Sequence, residues 1–72
     1  MHVIVLSTDV KLGDIVIKKV DDTKQQMIVT GFIIHAVDDV GQVIHYSICC
    51  SDGIGNILDY KPYEIEQYQA TY

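Results

Sequence analysis

Arginine and tryptophan do not occur in this chain, proline occurs once and cysteine twice. Each scarcity removes a class of function. Without arginine the basic residues are Lys11, Lys18, Lys19, Lys24 and Lys61, set against ten acidic residues for a net charge of −5. Nucleic acid is gripped by clustered cationic side chains on phosphate. The one adjacent pair, Lys18-Lys19, is followed by Asp21 and Asp22, which oppose its field, so the sequence argues against a nucleic-acid partner. A membrane-surface role lacks its basic face for the same reason. No apolar run approaches the roughly 20 residues of a spanning helix. Absence of tryptophan also removes the usual floor of a proline-peptide groove.

Catalytic signatures are missing as well. Ser47 and Ser51 lie near His45 and the cysteines in sequence. Even so, no nucleophile elbow, glycine-rich phosphate loop or paired metal motif occurs, and the chain reads as no enzyme, with no cofactor. The opening Met1-His2-Val3-Ile4-Val5-Leu6 has no basic leader and too short an apolar run for a secretory signal, which points to the cytoplasm. Cys49 and Cys50 are neighbours. In a strand they face opposite ways and cannot pair without strain, so one buried thiol and one on the other face are expected, in a reducing compartment.

What the chain has in abundance is β-forming sequence: 49% of its 72 residues are hydrophobic. That length has room for one small domain, with its core over about residues 12–66 and residues 67–72 frayed or in a turn of helix. Residues 2–7 form a possible short strand, and residues 15–20 (IVIKKV) a strand launched by the turn Lys11-Leu12-Gly13-Asp14. A polar loop follows to residue 26. Residues 27–37 (MIVTGFIIHAV) and 42–50 (QVIHYSICC) flank the turn Asp38-Asp39-Val40-Gly41 as one long hairpin. Gly31 marks a bulge or close crossing within it. After Ser51-Asp52-Gly53 comes a strand over residues 54–60, stopped by Lys61-Pro62, and then a short last strand over residues 63–66. Short strands at this spacing, with almost no helix, predict an all-β fold: a small SH3-like barrel of about five antiparallel strands with a long bent central hairpin.

Parity sorts the hairpin. A three-residue loop with Gly41 in the left-handed region pairs Asp38 with Gln42. It sets His35 against His45, Ile34 against Tyr46, Phe32 against Ile48 and Thr30 against Cys50. One face then carries Ile28, Thr30, Phe32, Ile34, Ala36, Ile44, Tyr46, Ile48 and Cys50, the expected core. The other carries Val29, Gly31, Ile33, His35, Val37, Val43, His45, Ser47 and Cys49. Its apolar row Val29, Ile33, Val37 and Val43 is too greasy for an idle surface and is the candidate partner-binding site, covered by another strand, the N-terminal segment or a partner subunit.

Three further groups bear on function. His35 and His45, opposed on that second face, form a candidate pH-responsive or metal-binding pair with no evident third ligand; His2 is the only other imidazole. Tyr60, Tyr63, Tyr68, Tyr72 and Tyr46 could line a recognition groove, with Asp59 and Glu64 attracting a cation; Tyr60 and Tyr63 join the partner-binding candidates. The acidic residues Asp21, Asp22, Asp38, Asp39, Asp52, Asp59, Glu64 and Glu66 offer a negative surface to a basic partner.

The succession Gly13-Asp14-Ile15-Val16-Ile17-Lys18, Val29-Thr30-Gly31-Phe32, Ile44-His45-Tyr46-Ser47 and Tyr63-Glu64-Ile65 resembles a group of small uncharacterised proteins encoded by phages and prophages. The likeness covers about residues 12–66 and rests on structural motifs. It implies an SH3-like barrel and a mobile-element origin, and it brings no catalytic or binding residues. The expectation is a non-enzymatic module that binds protein or itself. The alternatives are an acidic nucleic-acid mimic that inhibits an enzyme, or a histidine-based metal- or pH-responsive binder.

Overall fold

The computed structural model describes residues 3–20, 23 and 25–68. His2, Tyr72 and the loop residues Asp21, Asp22 and Lys24 lie outside the described residues, and so does most of the expected frayed tail. The fold is all-β: strands β1 (Ile15–Lys18), β2 (Met27–Val37), β3 (Val43–Ser51), β4 (Ile57–Tyr60) and β5 (Ile65–Gln67), with one 3-10 turn, Pro62–Glu64, before β5. They form a single antiparallel sheet in the order β4-β3-β2-β1-β5. This is the class the sequence predicts, a five-stranded barrel-like sheet around a long hairpin.

Local chemistry explains where elements start and stop. β4 begins at Ile57, three residues later than expected, because the Asp52 carboxylate holds the preceding loop. It accepts hydrogen bonds from the Ile54 and Asn56 amides and from the Asn56 side chain, an Asx-type turn that competes with strand pairing. β5 begins at Ile65 because proline favours the first position of a helical turn. The Glu64 side chain accepts from the Lys61 amide at 2.8 Å and closes that turn. β1 stops at Lys18, and Lys19 donates its amide to the Glu64 carbonyl, tying β1 to the same turn.

The hairpin tip follows its turn chemistry. Asp38 donates to the Gln42 carbonyl at 2.9 Å, its carboxylate accepts from the Val40 and Gln42 amides, and Gly41 takes φ +89°. Below the tip, Phe32 pairs with Ile48, Ile34 with Tyr46 and Val37 with Val43 in the expected register.

Three register shifts break strict alternation, the last between Ala36 and Val37, where Ile44 is passed over and the expected register returns. Val29 pairs with Cys50 and Gly31 with Cys49, so Thr30 is the extra residue of a bulge; a second shift sets Ala36, rather than His35, against His45. The first shift inverts the parity of everything before it. Met27 and Val29 turn inward, while Ile28 and Thr30 face solvent.

The core draws on all five strands: Val16 from β1, Met27 and Val29 from β2, Ile48 and Cys50 from β3, Tyr60 from β4 and Ile65 from β5, closed by Val10. Phe32 and Tyr46 pack against it and meet each other edge to face, with ring centroids 6.3 Å apart. Fully burying a side chain of this size contributes about 1.5–3 kcal/mol, so these few residues hold the barrel. The expected core face is thus correct for Ile48 and Cys50 and, in part, for Phe32 and Tyr46. It is corrected at Ile28, Thr30, Ile34 and Ile44, all of which are exposed.

Candidate interaction surface

The hairpin outruns its neighbours. β1 pairs with β2 only at Met27 and Ile28, and Gly13 and Asp14 add backbone bonds to Val29. On the other side β4 pairs with β3 only from Ile48 to Ser51. Among the described residues, the sheet past Gly31 on β2 and below Ile48 on β3 is two strands wide. The molecule is accordingly elongated, 44 × 27 × 20 Å.

This outer arm is apolar on both faces. Ile33, Ile34 and Val37 are about two-fifths exposed, at 39%, 44% and 37%, and Ile44 is 66% exposed. β2 and β3 together contain no Lys, Asp or Glu, although the chain as a whole is strongly acidic. Charge appears only at the tip, in Asp38 and Asp39.

Of the expected apolar row, Ile33 and Val37 lie on this arm. Val29 is in the core at 2% exposure and Val43 is buried as well, so neither offers a side chain to a partner. The Val29 correction follows from the bulge. At Val43 the N-terminal segment intervenes: the Val5 amide donates to the Gly41 carbonyl at 2.8 Å, and the Val43 amide donates to the Val5 carbonyl at 2.9 Å. This segment, expected as a strand over residues 2–7, makes one parallel bridge there and no strand among its described residues 3–7. Its Val3 carbonyl passes so close to Gly41 that a side chain at Gly41 would collide with it.

Ile34 and Ile44 are the surface residues that sequence reasoning missed. Their parity assigned them to the core. The available signal was length, because strands of eleven and nine residues cannot be covered along their whole extent by strands of four.

His35 and His45 do come together, with ring centroids 4.8 Å apart and planes tilted by 38°. The Nε2 of His35 shares a 2.7 Å hydrogen bond with the Ser47 hydroxyl. Among the described residues, no group of three or more His, Cys, Asp or Glu side chains is placed to hold a metal ion. The pair is therefore two exposed imidazoles, one of them already engaged.

The tyrosines divide. Tyr60 is buried at the end of β4 and Tyr46 is half-buried, whereas Tyr63 and Tyr68 are exposed. Tyr60 and Tyr63 line a groove of about 420 Å³ with Lys18, Lys19, Val20 and Glu64. The Lys18 ammonium sits 5.4 Å from the Tyr60 ring centre and the Lys61 ammonium 5.9 Å from that of Tyr63. These rings already face the protein's own cations.

Several carboxylates serve the fold. Asp14 accepts from the Lys11 amide at 2.9 Å and from the Gln67 side chain at 2.8 Å, which joins the first turn to β5. Its carboxyl is held below its ordinary value, first by the Lys11 amide and then by Gln67. Asp52 is lowered likewise, first by the Ile54 amide and then by Asn56. The cysteines are free, Cys50 buried and Cys49 partly so. Burial pushes the Cys50 thiol up to about 11 and also raises Cys49, with Asp59 beside Cys49 adding to the shift.

No helix among the described residues is long and apolar enough to cross a membrane. Comparison with family models, curated proteins and solved structures returns no match.

Proposed function

We propose that this protein is a non-enzymatic protein-interaction module whose working part is the outer half of the β2–β3 hairpin. One observation carries the reading: an arm with no formally charged side chain between the barrel and the tip, exposing Ile33, Ile34, Val37 and Ile44 on an acidic protein. Apolar patches of this kind mark contact sites, because leaving them in water forgoes burial free energy at every residue. The surface belongs to contact by burial, with the barrel as its rigid base.

The setting we propose is the cytoplasm of a cell carrying a phage or prophage. The two adjacent thiols on opposite faces of β3 suit a reducing compartment, and the resemblance described above supplies the mobile-element origin. The acidic-mimic alternative has less behind it. Asp14, Asp38, Asp52 and Glu64 each bind turn backbone, which draws their charge into local structure. For a metal- or pH-responsive role there is the proximity of His35 and His45, without a third ligand among the described residues.

Photo-crosslinking in an extract of the source cells tests the reading, with the probe placed in turn at Ile44 and at Tyr63. Partner adducts are expected at Ile44 and not at Tyr63, and they should vanish in Ile34→Lys. Adducts at Tyr63 alone would move the site to the groove beside the 3-10 turn and overturn it.

A further inference from the structure

We infer that the occupant of the arm is a second copy of this chain, paired antiparallel along the free edge of β2 over residues 31–34. The inference rests on the arm being the interaction surface and names its partner.

Four observations on the arm converge. Among the described residues, β2 from Gly31 to Val37 pairs on its β3 side only, so its other edge presents unpaired backbone donors and acceptors. Two strands alone are marginal in water, and a third strand supplies what the arm lacks. The bulges at Thr30 and His35 bracket a regular run, Gly31-Phe32-Ile33-Ile34, and leave that run itself undistorted. This edge carries no proline, lysine or other charge of the kind that normally blocks edge-to-edge pairing.

Charge selects the occupant. A different protein recruited to a chain of net charge −5 would be expected to meet it with basic residues, and the free edge over residues 31–37 offers such residues no charge to contact. A like copy brings the same uncharged edge. Antiparallel pairing about a two-fold axis makes one stretch of strand its own complement, which is the common geometry of homodimers. Directly opposed residues of an antiparallel pair share a face, so in that arrangement Phe32 of each copy lies beside Phe32 of the other, and Gly31 beside Ile33. Gly31 leaves room for this approach, since nothing lies within 4 Å of where its side chain would start. The pairing makes one four-stranded sheet of two arms and covers part of Ile33 and Ile34.

The test uses the full chain. Sedimentation equilibrium from micromolar to millimolar concentration should show twice the 8.1 kDa monomer mass, and Ile33→Lys should weaken the dimer by about tenfold or more. Ile57→Lys, on the exposed β4 edge, should leave it unchanged. In the wild-type protein the amides of residues 31–34 should gain hydrogen-exchange protection as concentration rises, a readout that needs no variant. A monomer throughout, a dimer lost in Ile57→Lys but not in Ile33→Lys, or protection independent of concentration would each overturn the inference. Residues 69–72 are the other candidate cover for this edge. A monomer whose residues 31–34 lose protection on truncation after Tyr68 would assign the edge to them. A monomer that still forms Ile44 adducts with another protein would leave the interaction reading standing and remove the second copy.

Discussion

Val29 and Cys50 face each other across β2 and β3 with both side chains in the core. The pairing exists because Thr30 is squeezed out as a bulge, and its cost in regularity is small: the Thr30 hydroxyl donates to the Cys49 carbonyl at 3.2 Å. Val29→Ala should therefore destabilise by about 2 kcal/mol through lost burial and a residual cavity. Its neighbour Ile28, half-exposed, should lose under about 1 kcal/mol on the same change. Urea denaturation of the two variants reads the difference. A reversed order, with Ile28→Ala the costlier change, would mean that β2 keeps strict alternation through Thr30.

Gly41 and Gly13 form a matched pair of turn glycines, at φ +89° and +87°. Alanine is strained at either, by about 1–2 kcal/mol. Only Gly41 has the Val3 carbonyl in the way; at Gly13 the space is open. Gly41→Ala should thus cost measurably more than Gly13→Ala by thermal or chemical denaturation. Removing residues 1–5 should bring the two costs together, because the obstruction leaves with the segment.

The hairpin shows how far sequence reasoning reaches. Its tip was legible because Gly41 and the Asp38 carboxylate set a specific turn, and the turn sets the register of Phe32, Ile34 and Val37. Gly31 was legible as the neighbourhood of a bulge. The consequence of that bulge was not, since the pattern does not say which residue is extruded, and one residue of slip moved Val29 from surface to core. Ile34 and Ile44 have the composition of buried residues. The exposure of Ile34 comes from the shortness of β1 and β4, which is set by turn chemistry elsewhere in the chain, and Ile44 is in addition passed over where the register shifts between His45 and Val43. In the candidate site, proximity of His35 and His45 survived the second shift because the rings bridge the offset, while Ser47 entered as a partner that parity placed on the same face without showing the contact.

Asp14 and Asp52 predict the acid limb of stability. Both carboxyls sit below their ordinary value because amides donate to their charged forms. A depressed group contributes stability that is present above the unfolded carboxyl pKa of about 3.9 and is lost as pH falls through the lower folded value. The double variant Asp14→Asn, Asp52→Asn should be less stable than wild type at neutral pH, and the gap should shrink as pH drops below about 4. Urea midpoints measured from pH 7 down to pH 2 check this. A constant gap would mean that the amide contacts do not depend on charge.

Cys50 predicts the alkaline limb and a reactivity order. Its thiol, raised to about 11 by burial, stays protonated when an unfolded thiol of pKa about 8.5 has ionised. A raised group contributes stability that is complete below the unfolded value and is lost as pH climbs through the folded one. Wild type should therefore lose stability relative to Cys50→Ala between about pH 8.5 and the folded value. In the native protein at pH 8, iodoacetamide should label Cys49 before Cys50. Cys49 is partly exposed, although desolvation and Asp59 slow it too. Addition of denaturant should bring both thiols to the same fast rate. Equal labelling of the two in the native protein would place Cys50 outside the core and undo the pairing with Val29.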